Sequence, residues 1–302
     1  MKCILHIGTP KTATTLLQKW LYENKDALSD QSVALTRTFR TSNNRFLATI
    51  FQDKIDKIGR MKGFYDQEGR NHFKAVLTKR FKIEFDQLCK RHHTIIFTSE
   101  HLYRNLKNVE ELRALKEWLL QWFDEIQLIC YVREQGSLLK SRYSNKMKGG
   151  LTDDMLSFAK HIDDNYSFYN YLLAFQKWES VFGKDALTLR IYDQDRFVEG
   201  DIRLDFLHSI LPNFDKSKLT FQSHIENQSL TNRQAIFARA VNQAFVRSLD
   251  GVPISWVRNI KKHLFNLELL KSGGGFSYPG QKDLHQQMNT SNVAFFERYF
   301  GE

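Results

Sequence analysis

Cysteine is sparse in this chain: Cys3, Cys89 and Cys130 are the only three in 302 residues. An odd count without a C-x-x-C pair excludes a disulfide framework and a cysteine zinc site. Cys3 and Cys130 sit in apolar runs and read as buried or half-buried thiols. No stretch of about 18 apolar residues exists, so no membrane-spanning helix is predicted. Only Cys3 to Ile7 lie between Lys2 and the Gly8-Thr9-Pro10 break, too short a run for a secretory signal, so the expected compartment is the cytoplasm. Linkers, internal repeats and low-complexity tracts are missing as well. The histidines, His92-His93 included, show no metal-ligand spacing such as H-E-x-x-H.

What the chain does have is apolar content and positive charge. A hydrophobic fraction of 42% is enough for a real core. A net charge of +10 points to an anionic partner: a phosphorylated cofactor, an acidic polymer, lipid headgroups or nucleic acid. The cations are scattered among acids, with no Arg-Gly or Lys-rich tail, so nucleic acid is not expected. Peripheral contact with a membrane surface fits the same charge.

Residues 2–7 form a short apolar run that reads as a buried parallel strand. Leu16, Leu17, Trp20, Leu21 and Leu28 then recur at helical spacing over 12–28, with Thr12 as a cap. Residues 42–92 read as several surface helices. Further strands are predicted over 94–98, 126–132 and 186–192, and helices over 109–123, 135–148 and 166–182. This alternation predicts an α/β fold, three-layered and P-loop-like, with a central, mainly parallel sheet flanked by helices. The C-terminal third reads as helical additions, interrupted by the glycine-rich residues 271–280. The whole of 1–302 reads as a single domain.

Between the first strand and the first helix lies Gly8-Thr9-Pro10-Lys11-Thr12-Ala13-Thr14-Thr15. Open α/β sheets bind anions here, on the free N–H groups and positive dipole end of the helix. Lys11 adds a point charge, and Thr12, Thr14 and Thr15 add hydroxyl donors. The Walker A pattern G-x-x-x-x-G-K-[ST] is not met, because the lysine comes three residues after the glycine. His6, just upstream on the strand, reads as a packed core histidine.

The stretch His6-Ile7-Gly8-Thr9-Pro10-Lys11-Thr12-Ala13-Thr14-Thr15-Leu16-Leu17-Gln18 resembles the 5′-phosphosulfate loop of the PAPS-dependent sulfotransferases. It is most similar to the bacterial carbohydrate-type members and to the heparan-sulfate-modifying domains. Where that family usually has glycine this chain has Ala13, which fits with a negative φ. Residues 128–143 resemble the family's 3′-phosphate segment, a strand ending in arginine with a serine eight residues later; Arg133 and Ser141 keep that spacing. An arginine at a strand end suits a bidentate phosphate grip. Weaker likenesses lie at 178–183, 189–192, 227–230, 271–280 and 291–300.

The resemblance implies PAPS (3′-phosphoadenylyl sulfate) as donor, adenosine 3′,5′-bisphosphate as product, and no metal. It implies Lys11 at the leaving phosphate oxygen, with the 5′ end bound by Lys11, Thr12, Ala13, Thr14 and Thr15. Arg133 and Ser141 would hold the 3′-phosphate. Sulfuryl transfer, like phosphoryl transfer, relies on positioning and charge stabilisation. The base comes from Thr98-Ser99-Glu100-His101: the family keeps a glutamate there in heparan-type members and a histidine in cytosolic small-molecule members. Neighbours at a strand end point opposite ways, so one of the two faces the site. The Ser-Glu phrase favours Glu100, and a pKa raised through partial burial would aid a carboxylate base. The expected acceptor is a hydroxyl of a glycan or glycolipid, with Phe64, Tyr65 and Phe73 as aromatics that could stack on sugar rings. A P-loop-type kinase and a non-enzymatic basic protein binding nucleic acid or anionic glycan are the alternatives.

Overall fold

The computed structural model describes residues 1–160, 162, 166–211, 213–222, 230–246 and 281–301. The elements in chain order are β1 (Lys2–His6), α1 (Thr14–Glu23), α2 (Lys25–Ser29), β2 (Val33–Leu35), α3 (Arg45–Phe51), α4 (Lys57–Met61), α5 (Gln67–Leu88), β3 (Thr94–Thr98), α6 (Glu100–Asn105), α7 (Val109–Leu119), β4 (Glu125–Val132), α8 (Gln135–Lys148), α9 (Met155–Lys160), α10 (Tyr166–Tyr169), α11 (Tyr171–Phe182), β5 (Leu187–Ile191), α12 (Ile202–Ile210), α13 (Asn232–Val246) and α14 (Gln281–Tyr299). Residues 271–280, and 227–229 of the 227–230 likeness, lie outside the described residues.

The chain gathers into two compact units, Met1–Arg133 with Leu173–His224, and Glu134–Leu172 with Ile225–Glu302. The first carries a five-stranded sheet in the order β2-β3-β1-β4-β5. Every pairing is parallel, with Ile4 beside Ile96 and Gln127. Parallel strands need both faces covered, which is why the central strands β3, β1 and β4 are largely apolar. Ile4, Ile96, Ile129 and Tyr131 point to one face and pack against Leu17, Trp20 and Leu21 of α1 and Phe206 and Leu207 of α12. On the opposite face Phe97 meets Phe81 of α5 and Phe123 beyond α7, with ring centroids 5.7 and 5.8 Å apart. The result is an α/β fold with helices on both faces of a parallel sheet, as the alternation predicts. In place of a mainly parallel sheet, the observed one is wholly parallel.

The buried Asp205 of α12 accepts from Tyr131 Oη at 2.7 Å and from Arg190 of β5 at Nε, 3.1 Å, tying the last strand to the sheet. Asn108 and Glu111 form a reciprocal capping box at the start of α7. In the second unit, the Glu134 carboxylate accepts from the Gly136 and Ser137 N–H groups and starts α8, where Tyr143 and Met147 pack on Leu230, Ala235 and Ala238.

Several boundaries differ from the sequence reading. The 12–28 helix starts at Thr14 and breaks at Asn24, whose side chain bonds the Trp20 carbonyl oxygen and the Thr220 main chain. The 166–182 helix breaks at Asn170. The helix expected to reach 123 stops at Leu119. Within 42–92, α3 is no surface helix: Leu47 through Phe51 are all buried. Among the described residues no helix is long and apolar enough to cross a membrane.

Candidate functional site

The connections leaving β1 and β4, neighbours in the sheet, lead to opposite sides: β1 toward β2, β4 toward β5. Such a reversal opens a crevice at the strands' carboxyl ends, the usual ligand position in open parallel sheets. The Gly8–Thr15 segment lies on one lip and Arg133 on the other.

The loop is tightly made. The buried Thr9 hydroxyl donates to the Tyr131 carbonyl oxygen at 2.7 Å and fixes the loop to β4. The Thr12 hydroxyl donates to the Thr9 carbonyl oxygen at 2.7 Å. Thr12 is therefore not the helix cap; that position falls to Ala13, and no side chain caps the start of α1. Gly8 has φ +39°, and a Cβ there would sit 2.8 Å from Thr14 Cγ2 and 3.2 Å from His6 Nε2. Only glycine fits this close approach.

Ala13 does not meet the condition under which alanine suits this position, a negative φ. Its φ is 52° and ψ 24°, a left-handed residue, and Lys11 is left-handed too at φ 72°. An alanine in this conformation carries a strain of about 1–2 kcal/mol, which a glycine would not. Of the remaining loop residues, Thr14 is buried and Thr15 is exposed.

Arg133 donates from Nη1 to the Lys11 carbonyl oxygen at 2.9 Å and lies over the Tyr192 ring at 5.4 Å. Part of its donor fork is thus committed to the loop. Ser141 is a buried residue of α8, in the second unit.

Glu100 and His101 both lie in the first turn of α6, capped by Ser99. They do not point opposite ways: His101 Nε2 lies 3.5 Å from Glu100 Oε1. A helical turn places successive side chains about 100° apart, unlike a strand. Glu100 Oε2 accepts from Gln18 Nε2 at 2.9 Å and from Asn43 Nδ2 at 3.0 Å. Burial works to raise the Glu100 pKa, but His101, the Gln18 amide, the backbone and His6 outweigh it. The carboxyl ends below the ordinary glutamate value, so the upward shift that would aid a base is not found. His101 is buried and held neutral, its pKa lowered to about 4 chiefly by burial against the raising effect of Glu100. Arg45 Nη1 lies 3.3 Å from His101 Nε2, and since arginine only donates, this contact also requires the unprotonated nitrogen.

His6 is fully buried, shares a 2.8 Å hydrogen bond between Nδ1 and Thr98 Oγ1, and meets the Phe206 ring edge-on. That is the core histidine expected. Phe64 and Phe73 form a tilted ring pair with centroids 5.4 Å apart, and Phe64 is buried, whereas Tyr65 is exposed.

Three residues escaped the sequence reading: Thr9, Gln18 and Asn43. Gln18 had a signal, since it lies one turn after Thr14 on the helix that opens the site.

No family model matches this chain. An uncharacterized protein of Archaeoglobus fulgidus is 24% identical over 212 residues, 68% of this chain. The matched region spans about half of that protein's length, 54%.

Proposed function

We propose that this protein is a sulfotransferase that moves a sulfuryl group from PAPS to a hydroxyl of a glycan or glycolipid, within the cytoplasm. The reading is carried by one arrangement: an uncapped helix start behind a glycine-dependent loop, with a lysine on the loop, an arginine across the crevice and an ionised carboxylate at the end of the next strand. The residues suit a sulfonucleotide. Gly8 leaves space that a Cβ would fill, and the buried His6 Nε2 beside it has no hydrogen-bond partner among the described residues.

Lys11 and the main-chain N–H groups of Thr14 and Thr15 would hold the 5′ end. Thr12 and Ala13 shape the loop, and the exposed Thr15 hydroxyl is free to face the ligand. Arg133 would grip the 3′-phosphate as a planar cation at the strand end; Ser141 joins that assignment on sequence resemblance alone. When bound, PAPS supplies an activated S–O bond.

Glu100 takes the proton of the acceptor hydroxyl as that oxygen bonds to sulfur. Lys11 neutralises the charge that arrives on the departing phosphate oxygen as the S–O bond to it breaks. A low intrinsic pKa keeps Glu100 ionised and ready, and a nearby polyanion would raise it toward a more effective base. His101, being neutral, is the second choice for the base.

The test is transfer of labelled sulfate from PAPS to a panel of glycans and glycolipids. Glu100→Gln is expected to abolish transfer while keeping affinity for adenosine 3′,5′-bisphosphate. An active Glu100→Gln enzyme with a dead His101→Ala enzyme would reassign the base, and no transfer to any acceptor counts against the function.

A further inference from the structure

The carboxylate of Glu100 is held asymmetrically, and the hydrogen bonds say by what. Oε2 takes two amide donors, Gln18 Nε2 from α1 and Asn43 Nδ2 from the loop before α3. Asn43 Nδ2 also reaches Gln18 Oε1 at 3.2 Å, and Asn43 Oδ1 accepts from Ser99 Oγ at 3.0 Å. The three side chains close a ring around one carboxylate oxygen. Oε1 lies on the other side, nearest His101 at 3.5 Å.

The loop that delivers Asn43 is built under strain. Arg40 has φ 86° and Ser42 φ 59°. Asn44 next to it is buried, donating to the Thr36 and Arg40 carbonyl oxygens at 3.2 Å and accepting from Thr98 N–H at 2.8 Å. Lys11, Ala13, Arg40 and Ser42 are four of the six non-glycine residues with positive φ among the described residues. Strain of this kind persists where the surroundings over-determine a geometry, and the strained turn at Arg40 and Ser42 leads directly into Asn43, a partner of Glu100.

We infer that Gln18 and Asn43 are positioning residues that immobilise Oε2 of Glu100 and leave Oε1 as the oxygen that receives the proton. The inference rests on the sulfotransferase reading for its chemistry, but its geometry stands without it. Amide donors stabilise the ionised carboxylate, so they set its proton affinity as well as its orientation. Among the described residues, the other titratable groups that act on this carboxylate are His6 from β1 and His101 on its own helix. Behind His101 stand Arg45 of α3, paired with Asp56, and Arg104 of α6.

The experiment is a carboxyl ¹³C NMR titration of the full chain labelled at glutamate, with the Glu100 resonance identified by its loss in Glu100→Gln. In Gln18→Leu and in Asn43→Ala the Glu100 midpoint is expected to move upward from the wild-type value. Asn43 lies in a loop and is only half-buried, which keeps the test alive if Gln18→Leu fails to fold. The acid limb of the transfer rate is expected to move the same way, with adenosine 3′,5′-bisphosphate affinity unchanged. An unmoved Glu100 midpoint in the folded variants would overturn the inference. Absence of transfer in the wild type would count against the sulfotransferase reading alone, because the NMR arm needs no activity.

Discussion

Arg133 donates a hydrogen bond from Nη1 to the main-chain oxygen of Lys11 at 2.9 Å, bridging the crevice between β1 and β4. The bond joins the two cations assigned to opposite ends of the nucleotide, and it pins a residue whose backbone is left-handed. Lysine at 133 would keep the charge but lose the planar fork that serves loop and ligand together. Arg133→Lys is therefore expected to weaken adenosine 3′,5′-bisphosphate binding about tenfold or more, the worth of one charge-assisted hydrogen bond. Calorimetric titration of both proteins checks it, and equal affinities would remove Arg133 from the site.

Ala13 at φ 52° gives a prediction with an unusual sign. Replacing a helix-flanking alanine by glycine normally destabilises through chain entropy, by about 0.5–1 kcal/mol. Here relief of about 1–2 kcal/mol of left-handed strain opposes that cost. Ala13→Gly is expected to be stabilised by roughly 0.5–1 kcal/mol. Urea unfolding of the two proteins decides it; a less stable glycine variant would mean that the loop adopts another conformation.

Much of the fold was legible in the sequence for a simple reason. Strands buried on both faces need apolar runs, and β1, β3 and β4 carry them, while the half-buried edge strand β5 alternates Leu187, Leu189 and Ile191 with Thr188 and Arg190. Val33–Leu35 was missed because three residues on the sheet's edge give no periodicity. Lys11 and Glu100 were legible as motif residues at strand ends. The handedness of Ala13 was not, because alanine gives no local sign of positive φ. Nor were the partners of Glu100, since the Gln18–Asn43–Glu100 ring joins residues 25 to 82 positions apart.

His6 makes stability depend on pH. Its pKa is lowered from 6.5 to about 4, chiefly by burial and against a raising effect of Glu100. Below pH 6.5 the unfolded chain binds a proton that the folded one refuses. Stability from this group is thus complete above pH 6.5 and falls as pH drops toward 4, by roughly 3 kcal/mol in all. Between pH 7 and 5, His6→Gln is expected to lose less stability than the wild type. Parallel losses in chemical denaturation at the two pH values would show that His6 is not buried neutral.

The central claim is that the Gly8–Thr15 loop and Arg133 hold a nucleotide phosphorylated at both its 3′ and 5′ positions. Competitive titration of the wild-type protein with adenosine 3′,5′-bisphosphate, ATP and a short oligonucleotide tests it most directly. The bisphosphate is expected to bind tightest, and Lys11→Ala to weaken that binding. Tighter binding of ATP or of the oligonucleotide would contradict it.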